Sequence, residues 1–212
     1  MTGDPARWFT RSDGSYVFAR WGRPVVPVVF GAAEESLPVF KGAWEAVCAL
    51  AGHPMGETDP ELGANLMTFL VRDWGELAEV PNLERLIPGL TDILARLEAA
   101  GANQYRVFRF DPAEAGGGIR AAFVLLRMDE HLAAVPAETL ALSQAVQTIL
   151  LWSDTAFHDR SPLALVPGQE GAMLRVEIGQ LIRAAYDPVL PRAANDPAHA
   201  LRLSARIASR SS

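Results

Sequence analysis

The order in which strand-like and helix-like segments follow one another limits the folds open to this chain of 212 residues. Short runs of β-branched and aromatic residues alternate with longer runs whose apolar side chains recur every three or four positions. The resulting order is strand, helix, strand, helix, strand, strand, helix, and then further helices. A mixed or antiparallel sheet packed against helices, with a helical C-terminal part, buries these apolar faces. We therefore predict an α+β fold.

The segments and their breaks can be placed along the chain. The strand-like segments are residues 16–21, 24–30, 64–72, 105–110 and 119–127, and the helix-like segments are 34–51, 81–100, 136–154, 171–186 and 196–208. Pro24 and Pro27 cannot donate hydrogen bonds to a neighbouring strand, so segment 24–30 should lie at an edge of the sheet. Pro88 should divide segment 81–100 into two helices. The turn at 111–118 predicts a hairpin, and residues 153–169 should form an irregular loop.

The composition bounds the class of protein. Half of the residues are hydrophobic and 21% are charged, which is enough apolar content for a buried core. We predict one domain over residues 16–212, preceded by a loosely held N-terminal arm at residues 1–15. The net charge of −6 argues against a general nucleic-acid binder. We see neither a signal peptide nor an apolar run of the ~20 residues that a membrane span needs, so we expect a soluble, cytoplasmic protein. A trimmed export signal would leave no trace.

The residues that could bind a metal ion or a cofactor show no recognisable spacing in the sequence. The single cysteine, Cys48, lies in an apolar helical run, which predicts a buried core residue. The four histidines, His53, His131, His158 and His199, are far apart in the sequence. We predict no bound metal ion or cofactor. The arginines at 202, 206 and 210 form a stripe on the last helix, which is typical of a solvated face and would also suit an acidic partner or a lipid headgroup.

The segment 136–154 carries the most informative polar pattern. It is predicted to form one helix, and three polar residues, Ser143, Gln144 and Gln147, lie on one of its faces. In zincin peptidases a β-α-β-β arrangement precedes an active-site helix with the motif His-Glu-x-x-His. The two histidines of that motif bind zinc, and the glutamate acts as general base.

This chain is similar to a zincin in layout. It resembles a family of uncharacterised bacterial proteins with a zincin-like fold, in which a Leu-Gly-Leu run and an aspartate follow the active-site helix and a later helix ends in Tyr-Asp-Pro. Here Ser143-Gln144-Ala145-Val146-Gln147 falls at the motif, Asp154 follows it, and Arg183-Ala-Ala-Tyr-Asp-Pro188 ends the later helix. The resemblance spans most of residues 20–209 and implies a zincin-like scaffold.

The chemistry of the motif is missing from this chain. Gln144 has no useful pKa for proton transfer, and Ser143 and Gln147 are poor zinc ligands beside imidazole or thiolate. Leu150 stands where the family has glycine, so the helix should continue past it. We therefore predict no catalytic residues and no zincin-type activity.

Three hypotheses for function remain. The first is a non-catalytic, peptidase-like domain whose old cleft binds a peptide or protein, with strand 119–127 as the edge that accepts it. Its candidate groove residues are Ser143, Gln144, Gln147, Asp154 and His158. The second is a hydrolase with an atypical metal site in the 153–159 loop, formed by Asp154, His158 and Asp159. The third is a structural or assembly subunit, of unknown oligomeric state.

Overall fold

The structure is a computed structural model that describes residues 4–57, 63–165 and 171–210. In these ranges the strands are β1 (Phe18–Ala19), β2 (Pro27–Phe30), β3 (Leu66–Val71), β4 (Gln104–Phe110), β5 (Ile119–Arg127), β6 (Leu163–Leu165), β7 (Ala172–Leu174) and β8 (Ala193–Ala194). The α-helices are α1 (Leu37–Ala51), α2 (Gly75–Ala78), α3 (Leu83–Leu86), α4 (Leu90–Ala99), α5 (Glu130–Ala133), α6 (Ala137–Ile149), α7 (Val176–Ala185) and α8 (Ala198–Arg210). The α+β prediction is confirmed. None of the described helices has the length and apolar character needed to cross a membrane.

The central sheet has the strand order β2-β3-β5-β4. Strands β2, β3 and β5 run parallel, and β4 runs antiparallel to β5, so the sheet is mixed and the predicted hairpin is confirmed. Strand β2 lies at an edge, as its prolines predicted. The prediction that segment 119–127 offers an edge is wrong, because β5 is paired on both sides and buried from Ala122 to Leu126. The second edge is β4.

Helices cover both faces of this sheet. Helices α1 and α6 pack against each other over one face, and α2, α3 and α4 cover the other. Strand β5 contributes to both cores, because Val124 and Leu126 belong to the first core and Phe123 and Leu125 to the second. Such alternation is the geometry of a strand whose two faces are both buried.

The described part of the N-terminal segment is anchored to the first core. Phe9 is fully buried, its carbonyl accepts a hydrogen bond of 2.9 Å from the Val17 N–H, and the Trp8 carbonyl accepts one of 2.8 Å from the Ser153 N–H. The prediction of a loosely held arm is therefore wrong for residues 4–15. The aromatic rings of Phe9 and Trp152 stack at 5.7 Å, and this burial outweighs the polar, glycine-containing neighbours.

Helix α6 is shorter than the predicted segment 136–154. It ends at Ile149, and Leu150 adopts an extended conformation that bridges to Arg20. The Leu151 N–H then donates to the Ala19 carbonyl at 2.9 Å. The apolar residues that suggested a longer helix are buried in an extended conformation instead.

Two further boundaries differ from the prediction. Segment 153–169 is not wholly irregular, because it contains β6, which pairs with β7, and the helix predicted from residue 171 begins at Val176.

The arginine stripe of α8 is engaged within the chain. Arg206 and Arg210 approach the Asp187 carboxylate at 3.7 and 3.3 Å, and Arg202 donates to the Val189 carbonyl.

Candidate functional site

A groove of about 800 Å³ lies between the edge strand β4 and the segment that follows α6. Its lining comprises Arg11 and Asp13, residues 104–108 and Phe110 of the β4 wall, and Gln147, residues 151–154, Phe157 and His158 of the opposite wall. It shares Arg11, Phe110 and Leu151 with a second cavity of about 1000 Å³, so the two adjoin, and the pair is called the depression.

Three of the five predicted groove residues line the groove. Gln147, Asp154 and His158 line the groove, whereas Ser143 does not. Gln147 donates to the Ser143 hydroxyl at 2.8 Å, one turn back along α6. Gln144 is buried, and it turns toward β4. The polar face of α6 therefore divides into a half-buried Ser143–Gln147 pair and a buried amide behind the groove wall.

The buried amide of Gln144 belongs to a three-residue network with Gln104 and Arg106 of β4. The Gln144 Nε2 donates to Gln104 Oε1 at 2.9 Å. The Arg106 Nη2 donates to Gln144 Oε1 at 2.5 Å and to Gln104 Oε1 at 3.2 Å. Both acceptors are neutral amides, so the guanidinium is hydrogen-bonded without being neutralised.

Arg106 makes none of the ion pairs found among the described residues. Its Nε is buried without a hydrogen-bond partner, and its hydrogen bonds to described residues are made by Nη2. Burial lowers the pKa of the Arg106 guanidinium to about 10, which still leaves it protonated at neutral pH. A positive charge therefore lies in the groove wall without a carboxylate beside it.

The two carboxylates at the rim of the groove each accept hydrogen bonds from a serine. The Asp154 carboxylate accepts from the Ser12 N–H at 2.9 Å and from the Ser12 hydroxyl. Asp13 accepts from the Ser15 N–H at 2.8 Å and from its hydroxyl at 2.6 Å. These hydrogen bonds lower the pKa of both carboxyl groups. Asp154 therefore ties the loop after α6 to the N-terminal segment.

The outer edge of β4 is open along the groove. The Arg127 N–H donates to the Asn103 carbonyl at 2.9 Å, which makes Asn103 and Arg127 a hydrogen-bonded pair of the ladder. Because such pairs alternate in an antiparallel ladder, the odd-numbered residues of β4 bond to β5. Gln104, Arg106 and Phe108 then direct their backbone N–H and C=O groups outward. No described strand pairs with that edge.

The adjoining cavity holds a second arginine without an acidic partner. Arg20 donates from Nη2 to the Leu190 carbonyl at 3.2 Å and lies over the Tyr186 ring, and its Nε is buried and unpaired. Tyr186, from the Tyr-Asp-Pro piece of the sequence, donates its hydroxyl to the Ile149 carbonyl at 2.8 Å. This tyrosine therefore holds the end of α6 in place.

The predicted metal ligands of the 153–159 loop do not converge. Asp154 is bonded to Ser12, and His158 and Asp159 are exposed. Among the described residues no three His, Cys, Asp or Glu side chains are grouped as a metal site would require. Cys48 is buried as predicted, and burial raises the pKa of its thiol to about 12.

Gln104 and Arg106 are the groove residues that the sequence reasoning missed. One signal was present in the strand pattern: Arg106 alternates with Phe108 and Phe110, so a charge shares a face with two aromatic rings. A charged residue on an apolar strand face needs a partner or a ligand.

Comparisons with known proteins gave no match. Neither the protein-family models, nor the curated proteins, nor the solved structures contain a counterpart to this chain at a significant level. The resemblance to zincins therefore stays a prediction.

Proposed function

We propose that this protein is a non-catalytic, zincin-like domain that binds an extended peptide segment by adding it as a strand to β4. The observation that carries the proposal is the outer edge of β4, where Gln104, Arg106 and Phe108 direct backbone groups along an open groove and no described strand pairs with them. Among the described contacts of these groups, the Phe108 carbonyl accepts a side-chain hydrogen bond of 3.4 Å from Arg109 Nη1. A peptide that pairs with such an edge gains main-chain hydrogen bonds and places alternate side chains in the groove.

Two features of the fold support the zincin-like part of the proposal. The central sheet and its helices precede α6 in the order β-α-β-β that the resemblance implies, when the short helices between β3 and β4 are taken as one crossover. Helix α6 lies beside the groove and contributes Gln147 to it. The position of the groove beside α6 supports the zincin-like part of the proposal.

The absence of catalysis follows from the chemistry of the side chains on α6. Gln144 would stand in for the general base, but it is an amide, and its side chain is buried in the network with Arg106. Ser143 and Gln147 bond to each other and have no carboxylate or imidazole partner among the described contacts. We therefore expect binding without cleavage of the bound segment.

Binding can be tested with a fluorescein-labelled decapeptide of alternating Thr and Gln, measured by fluorescence anisotropy. We expect saturable binding to the wild-type protein and none by the same peptide with every backbone nitrogen methylated, because methylation removes the donors that strand addition requires. Mass spectrometry after prolonged incubation should find the peptide intact.

A pair of variants on α6 locates the binding site. Gln147→Trp fills the groove and should weaken peptide binding at least about tenfold, which is ~1.4 kcal/mol. Ser143→Trp breaks the same Ser143–Gln147 hydrogen bond outside the groove, and it should leave the affinity within about twofold. Equal effects of the two variants, equal binding of the methylated peptide, or cleavage of the peptide would each contradict the proposal.

A further inference from the structure

We infer that Arg106 is a carboxylate-binding subsite of the groove, and that the segment accepted by β4 carries an Asp or Glu side chain directly opposite Arg106. The inference rests on the proposed function, and it adds the chemistry of the partner, an acidic extended peptide. The uncompensated guanidinium, the register of an added strand and the charges around the groove support it.

The guanidinium lies in the groove wall, and no described residue neutralises its charge. Its hydrogen-bond acceptors are the neutral amides of Gln104 and Gln144, and its Nε is buried without a partner. Taking a cation out of water costs several kcal/mol unless an anion or full hydrogen bonding compensates it. Burial also lowers the pKa of Arg106, and no carboxylate raises it again. A carboxylate from a ligand is the group that would complete this site.

The amide network leaves the guanidinium positioned to receive such a ligand. Nη2 is held by both glutamines, which fixes the plane of the guanidinium. Nη1 makes no hydrogen bond among the described residues, which leaves its two N–H donors for a ligand. Charge-assisted hydrogen bonds from a pre-oriented arginine to a carboxylate are among the stronger ones in proteins.

The register of an added strand brings a ligand side chain to this point. Residues that pair directly across a ladder have their side chains on the same face of the sheet. The backbone groups of Arg106 point outward, so the ligand residue opposite it forms a hydrogen-bonded pair with it. That residue then places its side chain beside the Arg106 side chain, on the groove side of the sheet.

The charges around the depression favour an acidic segment. Among the carboxylates lining the two cavities, Asp13 and Asp154 accept hydrogen bonds from Ser15 and Ser12. Asp111 pairs with Arg23 at 2.5 Å.

Three further arginines line the same depression. Arg11, Arg20 and Arg192 make no ion pair among the described residues within the 4 Å limit of such pairs. The groove itself has two arginines and two carboxylates outside ion pairs, Arg11 and Arg106 against Asp13 and Asp154. The adjoining cavity adds Arg20 and Arg192, so the excess of positive charge comes from that cavity.

The test compares three labelled decapeptides in which Thr alternates with Glu, Gln or Lys, at low salt. On the wild-type protein we expect the Thr-Glu peptide to bind at least about tenfold more tightly than the Thr-Gln peptide, and the Thr-Lys peptide to bind most weakly. This comparison needs no protein variant, so it holds whether or not a change at Arg106 impairs folding.

Two arginine variants assign the preference to one side chain. Arg106→Gln should reduce the ratio of the two affinities, Thr-Glu peptide over Thr-Gln peptide, from at least about tenfold to within about twofold. Arg96→Gln makes the same charge change on α4, which covers the opposite face of the sheet. Arg96 donates there to the Asp92 carbonyl, and the variant should keep the full preference.

The outcomes separate the two proposals. Equal affinities for the Thr-Glu and Thr-Gln peptides on the wild-type protein, or a preference that survives in folded Arg106→Gln, would overturn the carboxylate subsite and leave strand addition standing. If none of the three peptides binds, strand addition fails and the subsite fails with it.

Discussion

At the scale of single residues, Gly31 has the least space for a side chain among the described glycines. It follows β2 with φ +77°, and a Cβ added to it would lie 2.0 Å from the Leu70 carbonyl oxygen. We predict that Gly31→Ala lowers the free energy of unfolding by about 3 kcal/mol, because it combines a left-handed backbone with a clash against backbone. Urea denaturation measures this change.

Gly14 provides the matched control for that substitution. It has φ +82°, and no atom lies within 4 Å of its added Cβ. Gly14→Ala should therefore cost only the backbone strain, about 1 kcal/mol. Equal losses of stability in the two variants would show that the contact with Leu70 contributes nothing.

His199 should make stability depend on pH. Its side chain is buried, its Nδ1 is hydrogen-bonded to the Tyr16 hydroxyl at 2.8 Å, and its Nε2 has no partner. Burial, with a smaller contribution from Arg202, lowers the pKa of His199 from 6.5 to about 4. The unfolded chain therefore takes up the proton first as the pH falls. The stabilisation is complete above pH ~6.5 and is lost between pH ~6.5 and ~4, by about 3 kcal/mol.

The glutamine variant isolates this contribution from other acid-sensitive groups. His199→Gln can keep a hydrogen bond to Tyr16 and has no proton to gain in that range. Between pH 7.5 and pH 4 the wild-type protein should lose about 3 kcal/mol more than the variant in urea unfolding. Parallel pH profiles for the two proteins would contradict a buried, neutral His199.

At the scale of elements, the loop after α6 is tied to the N-terminal segment through Asp154 and Ser12. We predict that Asp154→Ala accelerates amide hydrogen exchange at Ser12 by about tenfold, because the amide loses its charged acceptor. The melting temperature should change by less than about 2 °C, since both residues are exposed. Residue-resolved exchange by NMR measures the effect.

Asp159→Ala is the matched control for the loop. Asp159 is exposed in the same loop and makes no ion pair in the described structure. Its removal should leave exchange at Ser12 unchanged. Acceleration by both variants would show that loop charge, and not the Asp154–Ser12 contact, protects this amide.

Local signals in the sequence predicted most elements but not how they pair. Periodicity predicted α1, and Pro88 predicted the break between α3 and α4. The end of α6 depends on the pairing of Leu150 with Arg20, 130 positions earlier in the chain, which no local pattern contains. The edge of the sheet was misplaced for the same kind of reason. Both β4 and β5 suit a hairpin, and only the parallel pairing of β5 with β3 decides which strand is exposed.

The candidate site shows the same division between local and distant information. Gln147, Asp154 and His158 were predicted from the helix and the loop that follow one another in sequence, and the structure places all three on the groove. Arg106 and Gln104 come from a strand about 40 residues earlier, and their role depends on contact with Gln144. The role of a buried charge can be assigned only when the groups around it are known.

At the scale of the whole molecule, the two cores share the central sheet and should unfold together. Strand β5 places alternate side chains in each core, so the sheet cannot unfold without disrupting both cores. Four of the five tryptophans, Trp8, Trp21, Trp44 and Trp152, belong to or pack against the first core, and Trp74 lies in the second. In a Trp74→Phe background, fluorescence therefore reports on the first core alone.

This arrangement allows a test of cooperativity from the opposite side of the sheet. Leu77 is fully buried in the second core, and Leu77→Ala should cost about 3 kcal/mol through the cavity it leaves. In the Trp74→Phe background, the fluorescence midpoint in urea should fall by about 1 M, and the far-UV circular dichroism midpoint should fall with it. Leu140→Ala, in the first core, should shift both signals in the same way. A shift of circular dichroism alone upon Leu77→Ala would mean that the helices α2 to α4 detach while the groove side stays folded. The groove would then be carried by an independent unit made of α1, α6 and the sheet.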